Sequence, residues 1–270
     1  MRKLSVNLLK IVALPAMLLT FSALLEQALA DVGPWVKGAN SQARLLAAGA
    51  PDAGTYRAGI EIELKSGAHT YWRDPGDAGV PPRISFEGSG NLKSATLRFP
   101  APSRIDEGGL TVYGFRNNLI LPIEVVPLDA SKPVQLSVQF TYAACQKICI
   151  PAELTGEMDL SPKAAPSAET RRLADAIALL PTPATAPSLG VTAKPIEQAG
   201  KIAWHVDLQR GFFDFFVEGP EGWSFDAKAE KSGFKLVADG KPQGWNGPVS
   251  VLLTLKGAAD VEVTFDLPIP

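Results

Sequence analysis

Val134-Gln-Leu-Ser-Val-Gln-Phe-Thr-Tyr142 alternates apolar and polar residues along its whole length. A period of two places Val134, Leu136, Val138, Phe140 and Tyr142 on one face of a strand and the polar residues on the other, as in a sheet with one face on a core and one in water. Upstream, Tyr56-Arg-Ala-Gly-Ile-Glu-Ile-Glu-Leu64 ends in the same alternation, and Asn118 to Val126 is an apolar run interrupted by Pro122. Downstream, Ile202 to Leu208, Phe212 to Val217, Phe234 to Val237, Val249 to Leu255 and Val261 to Leu267 are short strand-like stretches separated by turns rich in Gly and Pro. Strands broken by turns at such intervals point to an all-β chain of sandwiches, not to a parallel sheet wound with helices.

The two sets of strands are divided by a change of composition. From Ser161 to Ser188 the chain turns to Pro, Ala, Ser and Thr, and within it Leu173, Ile177 and Leu180 recur at helical spacing between Pro166 and Pro181. We expect a connector over 163–187 with one short helix, a β-sandwich over 31–162 and a second β-sandwich-like domain over 188–270. At the N-terminus, Arg2, Lys3 and Lys10 precede an apolar run, Ile11 to Leu25, that closes on Ala28-Leu29-Ala30. That is the layout of a signal peptide over 1–30, cleaved before Asp31; the run falls short of the roughly twenty residues that span a bilayer, so the processed chain is expected not to cross the membrane. With 26 basic and 28 acidic residues, a net charge of −2 and no basic cluster, nucleic acid and anionic membrane surfaces are not expected partners.

The two cysteines of the chain lie in Tyr142-Ala-Ala-Cys145-Gln-Lys-Ile-Cys149-Ile-Pro151-Ala-Glu153, where the alternating strand ends and Pro151 is expected to stop regular pairing. Three intervening residues let them bridge in a tight loop, and export permits the bond. Closing so short a ring removes only about 2 kcal/mol of denatured-state entropy, a weak staple for a chain of this size. Lys147 lies where it would favour a thiolate. Three readings stay open: thiol–disulfide exchange, a passive disulfide in a non-catalytic, chaperone-like module, or Cu(I) held by Cys145 and Cys149 with Met158 as a further ligand. Zinc needs more donors than two cysteines, and the chain has only His69 and His205 to add. No cofactor is called for.

Three segments carry a resemblance. His69-Thr-Tyr-Trp-Arg-Asp-Pro-Gly-Asp-Ala-Gly-Val-Pro-Pro82, Gly108-Gly-Leu-Thr-Val-Tyr-Gly114 leading into Leu121-Pro122-Ile123, and Tyr142 to Glu153 together resemble the N-terminal periplasmic domain of DsbD-like proteins, and among these the ScsB-like copper-tolerance branch. The resemblance implies an immunoglobulin-like sandwich in the periplasm whose cysteines carry electrons from a membrane-embedded DsbD- or CcdA-like donor to exported proteins and periplasmic thioredoxin-fold partners. It further implies Cys149 as the attacking thiol, Cys145 as the resolving one, and a cap loop over about 108–115 in which Val112, Tyr113 and Phe115 shield the sulfurs, Tyr113 foremost. Tyr71 and Trp72 are candidates to pack beside the pair, His69 to assist proton transfer, and Glu153 to take up a proton near the thiols. In the better-known family domain five residues separate the cysteines, whereas three do here. The family's membrane segment and thioredoxin-like domain have no counterpart in this sequence, so the expectation is either work in trans with separate proteins or a role that needs no relay.

Overall fold

The computed structural model describes residues 31–198, 200–208 and 211–269; the signal peptide expected over 1–30 lies outside them. Two sheets form the first sandwich. One joins β1 (Val36–Lys37), β2 (Ser41–Ala47), β3 (Tyr56–Leu64), β9 (Leu119–Pro127) and β6 (Leu92–Leu97) in the order β1-β2-β3-β9-β6. Its mate runs β11 (Cys149–Leu160), β10 (Val134–Cys145), β4 (His69–Gly76), β8 (Leu110–Phe115), β7 (Ser103–Glu107), with β5 (Arg83–Ser85) also pairing β10. The apolar face of the alternating stretch, Val134 to Tyr142, packs against Ile60, Ile62, Leu121 and Ile123 of the opposite sheet, as a period of two requires.

After β11, helix α1 (Ala168–Ile177) lies on the first sandwich and buries Leu173 against Gly59 of β3. The Ser167 amide donates to Thr170 Oγ1 at 3.0 Å and so ties off the first turn. The helix ends at Ile177, short of the Leu180 expected from spacing. The second sandwich pairs two four-stranded sheets. Their orders are β12 (Thr182–Ala184), β19 (Val261–Leu267), β18 (Val249–Gly257), β15 (Phe212–Glu218) and β13 (Thr192–Gln198), β14 (Lys201–Asp207), β17 (Gly233–Gly240), β16 (Ser224–Glu230). Thr182–Ala184, inside the expected connector, already pairs in parallel with β19.

Two prolines fall inside strands. Pro122 sits in the central strand β9, where its carbonyl accepts the Arg98 amide at 2.8 Å just past the end of β6, so the missing N–H faces no ladder partner. Pro151, expected to stop pairing, instead continues β11 opposite Ala143. The reason is position: β11 is an edge strand, and an edge tolerates a residue with no donor.

Candidate functional site at the cysteine hairpin

Cys145 ends β10 and Cys149 begins β11, directly opposite one another across a three-residue turn, and their sulfurs are bonded. Asn40 Nδ2 donates to the Ala144 carbonyl at 3.1 Å, Thr70 Oγ1 to the Ala143 carbonyl at 2.8 Å, and Gln146 Nε2 to the Ser66 carbonyl at 2.7 Å. The base of the hairpin is thereby fixed while its tip, Gln146 to Ile148, stands in solvent. The two cysteines differ in burial: Cys145 is 1% exposed, whereas Cys149 is an exposed residue.

Strand register supplies the next neighbours. His69 lies opposite Cys145 between β4 and β10, and directly opposed residues share a face with Cβ atoms about 5 Å apart. Tyr71, two residues on, falls on the same face. Its hydroxyl is 3.1 Å from Cys149 Sγ and 3.2 Å from Cys145 Sγ, and it donates to Glu107 at 3.0 Å. Glu107, from the end of β7, also lies 2.5 Å from His69 Nε2, with Oε1 3.8 Å from Cys149 Sγ. Burial, then the Glu107 carboxylate, pushes the Tyr71 hydroxyl up to about 12, so it keeps its proton at neutral pH. The disulfide is thus flanked by a protonated phenol, a carboxylate and a buried imidazole. Close approach of β8 to β4 holds this arrangement, because any side chain at Gly114 would meet the Thr70 carbonyl.

The expected site residues divide. Val112 packs with Tyr71, Ile105 and Cys145 in a small core under the sulfurs. Tyr113, the expected shield, points the other way, edge-on to Phe216 at 5.0 Å and beneath the Arg104 guanidinium. Phe115 packs against the main core. Strand alternation explains the split, since 108–115 is no cap loop: Gly108 and Gly109, both at positive φ, turn a β7–β8 hairpin in which Glu107 faces Leu110. Trp72 is buried in the main core, on the opposite face of β4 from Tyr71. Lys147 is exposed at the hairpin tip, and Glu153 is exposed on β11, accepting from Thr155. Met158 is buried opposite Leu136, nine residues along an extended strand from Cys149 or roughly 30 Å away, so it does not join the sulfurs in a copper site. Glu107 was not foreseen. An acidic residue beside a Gly-Gly turn reads as a solvated turn residue, and its contacts with His69, Tyr71 and Cys149, 36 to 42 residues away along the chain, leave no local pattern.

The comparisons with known proteins bear on this hairpin. Residues 40–158 match the family model described as thiol:disulfide interchange protein DsbD, N-terminal. This segment is a member of the DsbD N-terminal family. The matched span takes in His69, Tyr71, Glu107 and both cysteines, so the chain carries a thiol–disulfide-related domain with a bonded cysteine pair. The N-terminal periplasmic domain of ScsB from Proteus mirabilis shares the fold with a TM-score of 0.65 at 18% identity, over 89% of this chain and 99% of that one. The all-β, immunoglobulin-like sandwich fold is therefore one this chain shares with that domain. The yeast GGA1 GAE domain matches with a TM-score of 0.25 at 13% identity, over 47% of this chain and 96% of that one, too low for a shared fold. No curated protein sequence matches the chain.

Proposed function

We propose that the chain is a periplasmic thiol–disulfide exchange protein that passes electrons from a membrane-embedded reductase to exported proteins, with Cys149 as the point of attack and Cys145 as the resolving residue. The observation that carries this reading is the asymmetry of burial, an exposed cysteine bonded to a buried one beside groups that can hold a proton. In the reducing half, a donor thiolate attacks Cys149 Sγ, the Cys145–Cys149 bond breaks, and Cys145 leaves as a thiolate. A second donor thiolate then attacks the donor sulfur of the mixed disulfide and frees Cys149; two electrons have entered the pair and two protons follow from solvent. In the delivering half, the Cys149 thiolate attacks a substrate disulfide, and Cys145 attacks Cys149 Sγ to restore the bond and release the substrate as a dithiol.

The neighbours have distinct parts. The Tyr71 hydroxyl, within hydrogen-bond reach of both sulfurs, donates to whichever carries negative charge, while the Glu107 carboxylate opposes a lasting charge on Cys149. The expected location follows from the sequence signals at residues 1–30 and from the family. Among the described residues no helix is long and apolar enough to cross a membrane. The test is equilibration of the Cys145–Cys149 couple against thiol buffers of known potential. A value above about −300 mV fits an exchange centre, and one below it identifies a structural bridge in a non-catalytic module.

A further inference from the structure

The sulfurs, His69 and Glu107 form a constellation that exchange chemistry alone does not require. Donor atoms of His69, Glu107 and Cys145 all lie within 4.8 Å of one another, and Cys149 Sγ lies 3.8 Å from Glu107 Oε1. We propose that reduction of the pair converts this cluster into a binding site for a divalent cation of zinc type, with Cys145, Cys149, His69 and Glu107 as the four donors.

Spacing, donor chemistry and rigidity support it. Donors of a tetrahedral zinc site stand about 2.0–2.3 Å from the metal, and hence roughly 3.3–3.8 Å from each other; Glu107 and Cys149 already stand 3.8 Å apart, while the bonded sulfurs and the hydrogen-bonded His69–Glu107 pair at 2.5 Å must part to admit the ion. Two thiolates, an imidazole and a carboxylate are a mixed S, N and O set that suits zinc. Cu(I), which favours soft sulfur and low coordination number, gains little from the carboxylate. Three donors are placed by backbone register, His69 opposite Cys145 and Cys149 opposite Cys145, and His69 is only 5% exposed. The Tyr71 hydroxyl stands beside three of the four and is placed to hydrogen-bond a coordinating group.

The oxidised pair cannot serve, because each sulfur's bonding electron is committed to the other and neither carries charge. After reduction by two electrons and two protons, the entering cation displaces both thiol protons to solvent and takes the place of the S–S bond as the link between the sulfurs. Binding only to the dithiol, the metal pulls the couple toward reduction: each tenfold excess over its Kd shifts the dithiol-to-disulfide ratio tenfold, about 30 mV. Metal would then hold reduced protein out of exchange. The inference rests on the proposed function in one respect alone, that the pair is reducible, and it needs no partner protein.

The test treats the purified protein with a phosphine reductant, removes the reductant without air, counts thiols, and titrates with Zn2+ against a chromophoric chelator and with Co2+ as a spectroscopic substitute. The expected result is one metal per reduced chain and none on the oxidised chain, a tetrahedral cobalt spectrum with thiolate charge transfer, and loss of thiol alkylation when zinc is present. His69→Ala and Glu107→Gln, checked for retained fold by circular dichroism, should each weaken zinc binding tenfold or more. Two counted thiols with no retained metal would overturn the site while leaving exchange intact. Variants that bind zinc as tightly as the parent, or a preference for Cu(I) that is indifferent to His69, would reduce it to simple dithiol chelation and likewise overturn it. A pair that yields no thiols would remove both the site and the exchange function.

Discussion

The two sandwiches each set their single histidine against carboxylates, with opposite consequences. In the second, His205 bridges Glu230 at 2.7 Å and Asp207 at 3.1 Å on a strand surface away from both cysteines. In the first, His69 meets Glu107 at 2.5 Å under cover, next to a buried cysteine and a phenol held protonated. A histidine–carboxylate pair is thus ordinary surface chemistry until burial and a reactive neighbour are added. The second sandwich has its own part to play through β15 and β19: Phe216 of β15 lies in the core of the first sandwich, Glu218 of β15 and Glu262 of β19 bind Arg73 of β4, and Asp214 of β15 binds Arg104 of β7. Strands β4 and β7 also carry His69, Tyr71 and Glu107. The elements that build the site are therefore the ones clamped from outside.

That contrast can be broken most forcefully at the clamp. Phe216, 1% exposed, leaves a cavity in the other domain's core when cut to Ala, so Phe216→Ala should cost about 3 kcal/mol and lower Tm by roughly 10 °C. Phe213→Ala, on the same strand but 75% exposed, should cost about 0.5 kcal/mol or less. Equal melting of the two variants would mean that the sandwiches are not packed together. The next effect in size is at the sulfurs of the reduced protein, followed by thiolate absorbance against pH. Glu107→Gln removes a neighbouring negative charge and should lower the Cys149 pKa by about one unit, while Tyr71→Phe removes a donor to the thiolate and should raise it by a similar amount. Shifts of the same sign would contradict the roles assigned to the two residues.

The smallest effect belongs to the outer histidine. Burial pulls the His205 pKa down, but its hydrogen bonds and attraction to Asp207 and Glu230 outweigh this and leave it raised. A folded pKa above the unfolded value near 6.5 gives stability that is fully present below about pH 6.5 and lost as pH rises through the folded value. His205→Gln should therefore cost about 0.5 kcal/mol or less near pH 6 and nothing near pH 9, read from chemical denaturation at both.

Strands with one face in water could be read from the sequence, because alternation survives where burial is one-sided, as along Val134 to Tyr142 of β10 and in β19. Strand β4 could not, since His69, Thr70, Tyr71 and Trp72 are buried on both faces and lose the period. Strand β11 was hidden by a proline that only an edge position accommodates. At the site, the cysteine pair and Tyr71 were legible from spacing and resemblance. Tyr113 and Glu107 are hard to place from sequence for one reason: Gly108-Gly109 reads equally as a mobile loop and as the turn of a regular hairpin, and it closes a hairpin. Its register turns Val112 to the small core beside Cys145 and Tyr113 toward the second sandwich, and no local pattern reports which way a strand is rotated.

The account turns on which sulfur a partner can reach, and trapping measures it directly. Cys145→Ser and Cys149→Ser proteins, each with one thiol, are mixed with an oxidised thioredoxin-fold protein and the disulfide-linked adducts are counted under denaturing, non-reducing conditions. A stable adduct through Cys149 from Cys145→Ser, with little from Cys149→Ser, is the predicted outcome. Adducts from neither protein, or more through the buried Cys145, would contradict it.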